Sequence, residues 1–305
     1  MKYFKVEAKR TAQRFEISSK IFEKETGRKY PFEQINKSKT ISDYAICPSC
    51  LNPIQLIGLD ISNKNPYGRH TGKPIKGLPD WKYNKYRFCP YADKSIHQPP
   101  TDEYDNLEID DGIIELYNLL RSQFDRVVYL ISNELEIRCN KKFWKEALNQ
   151  FLVNRVYCYP WLTEANLPYI FAYRGMQHSN VWGQKIKVGS ELYSALERYP
   201  NVCFDMSDGA YQKVCNKNNF LDLHFRFTQH KQNAPDGRKL VETMLFCVDD
   251  FSNNNTLFEK EITFSETYFI NLINKSDNND KRQQWLLDVA NELMPDLIRI
   301  GRNTN

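Results

Sequence analysis

Cys47-Pro48-Ser49-Cys50 is the stretch of this chain best suited to chemistry. A Cys-x-x-Cys turn offers two thiolates about 3.5–4 Å apart from one backbone corner, within reach of a single ion at metal–sulfur bonds of about 2.3 Å. A second turn of the same flavour follows some forty residues on, Cys89-Pro90-Tyr91-Ala92, but Ala92 stands where its second cysteine would fall. A four-cysteine site is thereby excluded locally, and the fourth ligand has to be a histidine. His70 lies in a glycine-flanked segment, Gly68-Arg69-His70-Thr71-Gly72, that can fold back onto the ion. His97 is the alternative. If Pro90 opens a helix, the eight residues from Cys89 to His97 span about 12 Å, too far to share an ion, whereas an irregular 90–96 would let it reach. The expectation is a structural Zn2+ held by Cys47, Cys50, Cys89 and His70.

This arrangement resembles zinc ribbons and treble-clef modules over residues 41–97. The resemblance implies a structural metal and a contact surface for nucleic acid or protein; it implies no reaction. The chain departs from the pattern in its long Gly-rich loop and in the single cysteine of the second turn.

A different constellation lies in LDLHFRFTQHKQNAPDGRKLVETMLFCVDD, residues 221–250. Its alternation predicts an antiparallel hairpin turning at 234–237, with Leu223 facing Val248, Phe225 facing Phe246 and Phe227 facing Met244 on one apolar face. The same register puts Asp222 opposite Asp249 and His224 opposite Cys247 on the other face, with Arg226 beside them. Carboxylates and an imidazole together suit acid–base or metal work, so Asp222, His224 and Asp249 are the catalytic candidates for a metal-dependent hydrolase or nuclease. A wet outer sheet face carries the same alternation without chemistry. No phosphate loop, nucleophile elbow or HExxH supports an enzyme. Residues 173–185 mix aromatic, basic and amide side chains, with Arg174 among them, as base-stacking surfaces or polar loops do.

Charge is unevenly spread. The net value is +4, yet residues 1–100 carry 19 Lys/Arg against 9 Asp/Glu, +10, and the remainder is slightly acidic. A basic end on an acidic body fits contact with a polyanion, with Arg69, Lys73 and Lys76 the candidate nucleic-acid contacts beside the metal. No run approaches the ~20 apolar residues that span a bilayer, and the charged first residues do not read as a secretory signal, so no membrane partner and a cytoplasmic location are expected. In that setting eight cysteines are ligands or reduced thiols. Cys139, Cys158, Cys203, Cys215 and Cys247 read as buried core cysteines.

The elements that must position these residues are short strands at ISDYAI and IQLIGLDI around the first turn, an extended loop over 62–82, and helices over 107–137, 141–153, 188–199 and 280–299. KYFKV and RFEIS read as short strands or as part of a helix, and YIFAY at 169–173 reads as a strand. The fold class is α+β: an N-terminal zinc-ribbon-like module, a helical middle, and a C-terminal antiparallel hairpin packed with helices. Paired prolines near 100 divide a basic zinc-binding module, 1–100, from a body, 101–305, with a further division near 200. The functional expectation is a binding protein, an accessory factor of nucleic-acid transactions in a mobile-element or defence context. The alternatives are the hydrolase or nuclease above and an adaptor that binds a partner protein.

Overall fold

The computed structural model describes residues 1–9, 12–35, 39–62, 65–86, 89, 91–92, 109–205, 209–217, 221–233, 241–265, 267–274 and 282–297. They form a mixed α+β fold built on antiparallel sheets. The chain separates into two compact units, one of residues 1–116, 158–163 and 232–241, the other of 117–157, 164–231 and 242–305. None of the described helices is long and apolar enough to cross a membrane.

In the first unit, β1 (Tyr3–Phe4) pairs with β2 (Phe15–Glu16), which settles KYFKV and RFEIS as strands. The helix α1 (Ser19–Thr26) starts where the Ser18 hydroxyl accepts the Ile21 N–H, and it stops at Gly27, whose φ of 60° is the left-handed turn that glycine adopts without a Cβ penalty. Next come β3 (Glu33–Ile35), β4 (Ile41–Ile46), β5 (Pro53–Ile57) and β6 (Tyr67–His70), paired in that order. The strand β4 coincides with ISDYAI. The fourth strand was not legible, because Tyr-Gly-Arg-His sits inside a Gly- and Pro-rich run. Its Gly68 is closely packed: a Cβ there would lie 2.9 Å from Met1 and 3.0 Å from Ile54 side-chain atoms, which would have to shift. A short helix, α2 (Tyr83–Tyr86), follows. Phe4, Ile17, Phe22, Ala45, Ile54 and Leu56 pack into one core with Cys47, Cys50 and Cys89.

The second unit takes in most of α3 (Asp111–Glu134), whose backbone leaves helical geometry at Gln123. After β7 (Ile137–Arg138), α4 (Lys141–Val153) occupies the expected span, its Asn140 side chain accepting the Phe143 N–H and its Phe143, Trp144, Ala147, Leu148 and Phe151 buried. The segment read as a strand is a helix, α5 (Leu167–Gly175), with Pro168 in its first turn. Seven of its nine residues are buried, so no polar face exposes a helical period. Gly175 lets it approach α4, since a Cβ would sit 2.8 Å from the Ala147 carbonyl oxygen.

Two four-stranded sheets complete this unit. After β8 (Ser179–Asn180) and β9 (Lys185–Lys187) come α6 (Glu191–Glu197), capped by Ser190, then β10 (Val202–Asp205) and β11 (Tyr211–Asn216). One sheet runs β10-β11-β9-β7. The other is the expected hairpin, β12 (Leu223–Asn233) and β13 (Val241–Asp250), extended by β14 (Asn255–Thr263) and β8 in the order β14-β13-β12-β8. The turn at 234–237 lies outside the described residues. Leu223, Phe225, Phe227, Met244, Phe246 and Val248 are all buried, as the apolar face requires. The pairing is offset by two: the Phe251 N–H donates to the Asp222 carbonyl, which sets Asp222 opposite Phe251 instead of Asp249. That offset keeps Leu223, Phe225 and Phe227 on the apolar face. At Gln229, whose φ is 52°, the alternation breaks, and an exposed Gln229 is followed by a His230 side chain only 1% exposed. Last come α7 (Tyr268–Ile273) and α8 (Gln284–Leu293). The latter stops at Leu293, the early end that Pro295 predicts within 280–299, because Met294 before the proline is pushed out of the helical region (ψ 84°).

Candidate metal centre

The β4–β5 turn builds the first half of the site. The Leu51 N–H donates to the Cys47 carbonyl and the Cys47 N–H to the Asn52 carbonyl, with Leu51 at a φ of 60°, so the loop folds both sulfurs to one side. β6 pairs with β5 so that His70 lies opposite Ile54, on the inward row that also holds Ala45. His70 is therefore a strand-end residue, held by pairing, and not the loop residue its flanking glycines suggest. Cys89 arrives just after α2, where the Ala92 N–H closes a turn onto its carbonyl.

These elements bring Cys47, Cys50, His70 and Cys89 together, with one ligand atom from each and all four within 4.8 Å of one another. The Cys47 and Cys89 sulfurs are 3.7 Å apart; His70 Nε2 is 3.2 Å from the Cys50 sulfur and 3.7 Å from that of Cys89. Tetrahedral zinc with bonds of ~2.3 Å to sulfur and ~2.05 Å to nitrogen has edges of about 3.8 Å between sulfurs and about 3.6 Å from sulfur to nitrogen. The sulfur–sulfur spacing falls just short of the first value and the two sulfur–nitrogen spacings lie either side of the second, so the cluster is compatible with one tetrahedral ion. His97 lies outside the described residues.

Electrostatics favour a cation at the centre. Burial opposes ionisation of Cys47, yet the Cys50, Cys89 and His70 groups around it hold its thiol well below the ordinary range. Burial, with the neighbouring sulfurs, drives Cys50 and Cys89 well above it. Three buried sulfurs in contact cannot all be thiolates without a positive charge among them, and a divalent ion supplies it.

A supporting layer was not read from the sequence. The Asn52 side chain, 1% exposed, donates to the Lys82 carbonyl (3.0 Å) and the Cys50 sulfur (3.4 Å) and accepts the Lys82 N–H (2.7 Å). It thus ties the return of the long loop to the Cys-x-x-Cys turn. The His70 ring packs edge-on against Tyr86 (4.9 Å) and Trp81 (6.1 Å). A polar residue two places after Cys50 and the aromatic cluster at 81–86 were the only sequence signals of this layer.

Arg69, Lys73 and Lys76 are exposed in the same unit, Arg69 opposite Gln55 on β6 and the two lysines in the loop that follows. The Lys76 carbonyl accepts from Gln34, which anchors that loop to β3. Arg174 belongs to the second unit, its guanidinium 4.7 Å over the Tyr173 ring.

The catalytic candidates are arranged as pairs. His224 has one ring nitrogen 2.6 Å from Asp222 and the other 2.5 Å from the His178 carbonyl, and its ring stacks on Phe251. Asp249 is clamped by Arg226 through both oxygens and by the Thr256 hydroxyl at 2.7 Å. Cys247 is buried with its sulfur 3.9 Å from Glu259. Of the five cysteines read as core residues, Cys158 and Cys247 are buried; Cys139, Cys203 and Cys215 are only half-buried.

Compared with protein-family models, curated proteins and solved structures, the chain matches none.

Proposed function

We propose that the first unit is a zinc-braced module, of zinc-ribbon or treble-clef character, which holds a structural ion through Cys47, Cys50, His70 and Cys89 and binds nucleic acid through the basic surface beside it. The observation that carries this reading is the near-tetrahedral spacing of four soft or borderline donors in a buried setting. Here the knuckle between β4 and β5 supplies two ligands, a strand end the third, and a turn after a short helix the fourth. Bound zinc would pin the loop between Cys50 and Cys89 and add folding free energy to a unit whose core includes the thiols themselves.

The nucleic-acid role rests on charge. The excess of positive side chains over residues 1–100 and the exposure of Arg69, Lys73 and Lys76 suit phosphate neutralisation. On this reading residues 101–305 form a body that the module delivers to nucleic acid, the protein acts in the cytoplasm, and its role is accessory, not enzymatic. The test is a titration of DNA and RNA at several salt concentrations. The plot of log K against log[salt] should fall with a slope of several units, and the triple variant Arg69→Glu, Lys73→Glu, Lys76→Glu should flatten it by about one unit per lost contact. Absence of any salt-sensitive association, with zinc bound, leaves a protein-binding adaptor as the function.

A further inference from the structure

We propose that Cys203 and Cys215 form a reversible disulfide, a modification site on the sheet β10-β11-β9-β7. The two residues are direct cross-strand partners in the antiparallel pair β10–β11. The Lys217 N–H donates to the Asn201 carbonyl, and the alternation of the ladder makes Cys203/Cys215, two residues along, a hydrogen-bonded pair too. Such partners have Cα atoms about 5.5 Å apart, inside the 4.4–6.8 Å range that disulfides span. The Cys203 thiol already leans across the gap, donating to the Cys215 carbonyl at 3.3 Å. Neither residue serves the core: the inward row of this pair is Val202, Phe204 and Val214, and both thiols sit half-buried on the opposite face.

The geometry also fixes what kind of disulfide this is. Cβ atoms of a hydrogen-bonded pair stand near 5.5 Å, against the ~3.5–4.5 Å of a relaxed bridge, so closure draws one strand inward by about an ångström. β10 is the outer strand of its sheet, paired on one side only, so a shift of it disturbs a single ladder. A bridge formed at such cost is easily reduced, as labile and regulatory disulfides are.

Charge selects the oxidant. Cys215 is flanked on its own face by exposed Lys213 and Lys217, with Asp205 opposite Lys213, and across the sheet lie Lys185 and Arg138, so cations outnumber carboxylates among these neighbours. An anionic low-molecular-weight disulfide such as glutathione disulfide suits that surface. The Cys215 thiolate attacks one glutathione sulfur and expels one glutathione thiolate. The Cys203 thiolate then attacks the Cys215 sulfur of the mixed disulfide and expels the second. Two protein thiols are oxidised, one glutathione disulfide is reduced to two thiols, and the protein's two protons pass to the leaving thiolates.

The test is to equilibrate the full zinc-loaded chain in buffers of graded glutathione disulfide to thiol ratio, block free thiols by alkylation, and digest with trypsin. Cleavage after Lys213 places Cys203 and Cys215 on separate peptides, 199–213 and 214–217. The linked peptide pair should accumulate as the buffer becomes oxidising, with matching loss of both alkylated peptides, and should vanish on adding dithiothreitol. In Cys203→Ser the remaining Cys215 should instead accumulate as the glutathione adduct. Full alkylation of both cysteines in the most oxidising buffer overturns the proposal, as does a bridge from either one to a different cysteine. The measurement on the unsubstituted chain decides the matter even if the variant folds poorly.

Discussion

The Nε2 atom of His70, at the end of β6, lies 3.2 Å from the Cys50 sulfur in the turn between β4 and β5, so two elements twenty residues apart meet at one point. If zinc joins them, protein purified without added metal should contain about one zinc per chain by elemental analysis. Cobalt(II) in its place should show the visible bands of a tetrahedral, thiolate-rich site. His70→Ala should weaken metal retention by more than the 10–100-fold typical of lost outer-shell groups, because a ligand is removed. Cys47→Ser should leave the first unit unfolded. Because burial holds the Cys50 and Cys89 thiols high, metal uptake should release protons and tighten as pH rises. Metal-free protein that melts like the loaded form would sink this reading.

Asn52 offers a finer probe, since it touches the Cys50 sulfur without being one of the four ligands. Asn52→Ala removes two bonds to the Lys82 backbone: the N–H loses its side-chain acceptor, while the carbonyl still accepts from the Lys85 and Tyr86 N–H groups. The expected costs are about 1–3 kcal/mol of stability and roughly a 10–100-fold loss of zinc affinity, read by denaturant titration and chelator competition. Asn52→Asp keeps the acceptor for the Lys82 N–H but sets a buried carboxylate beside the Cys50 sulfur, and should cost more zinc affinity than Asn52→Ala. Unchanged chelator kinetics in Asn52→Ala would show that the loop is held by other contacts.

How far this site was legible depends on how local each signal is. The Cys-x-x-Cys turn between two apolar runs is a local pattern, and β4 and α4 follow alternation and helical spacing almost to the residue. His70 was chosen from loop geometry, while its actual placement depends on pairing with Ile54 sixteen residues away, which short-range pattern does not encode. The helix α5 reads as a strand because it is buried nearly all round, so its sequence carries no polar side to reveal the period. In the hairpin, the apolar face of Phe225, Phe227 and Phe246 was readable from alternation alone. Its register at the Asp222 end was not, because a slip of two leaves Leu223, Phe225 and Phe227 on the same face, and alternation does not distinguish the two pairings. Nothing in the spacing of Cys203 and Cys215 announces that they face each other; that follows only from the β10–β11 register.

Asp249 gives a prediction in the second unit, with its sign fixed by the surrounding groups. Burial alone would raise its carboxyl, but the bonds from Arg226 and Thr256, with the nearby positive field of His178, outweigh burial and hold it below its ordinary value of 3.8. A carboxylate depressed in the folded state contributes stability at pH values above its unfolded value and loses that contribution as pH falls through the folded one. The window is therefore pH 4 and below. Asp249→Asn removes the charge and leaves Arg226 without its partner, which should cost on the order of 2 kcal/mol near pH 7, between the values for exposed and buried pairs. The gap between parent and variant should narrow as the pH falls below 3.8 and through the lower folded value, because the parent's own carboxylate then takes up its proton. Urea denaturation of both proteins at neutral and acidic pH measures the two gaps directly. A gap of the same size at both pH values would mean that Asp249 stabilises the sheet through shape and hydrogen bonding alone, without its charge.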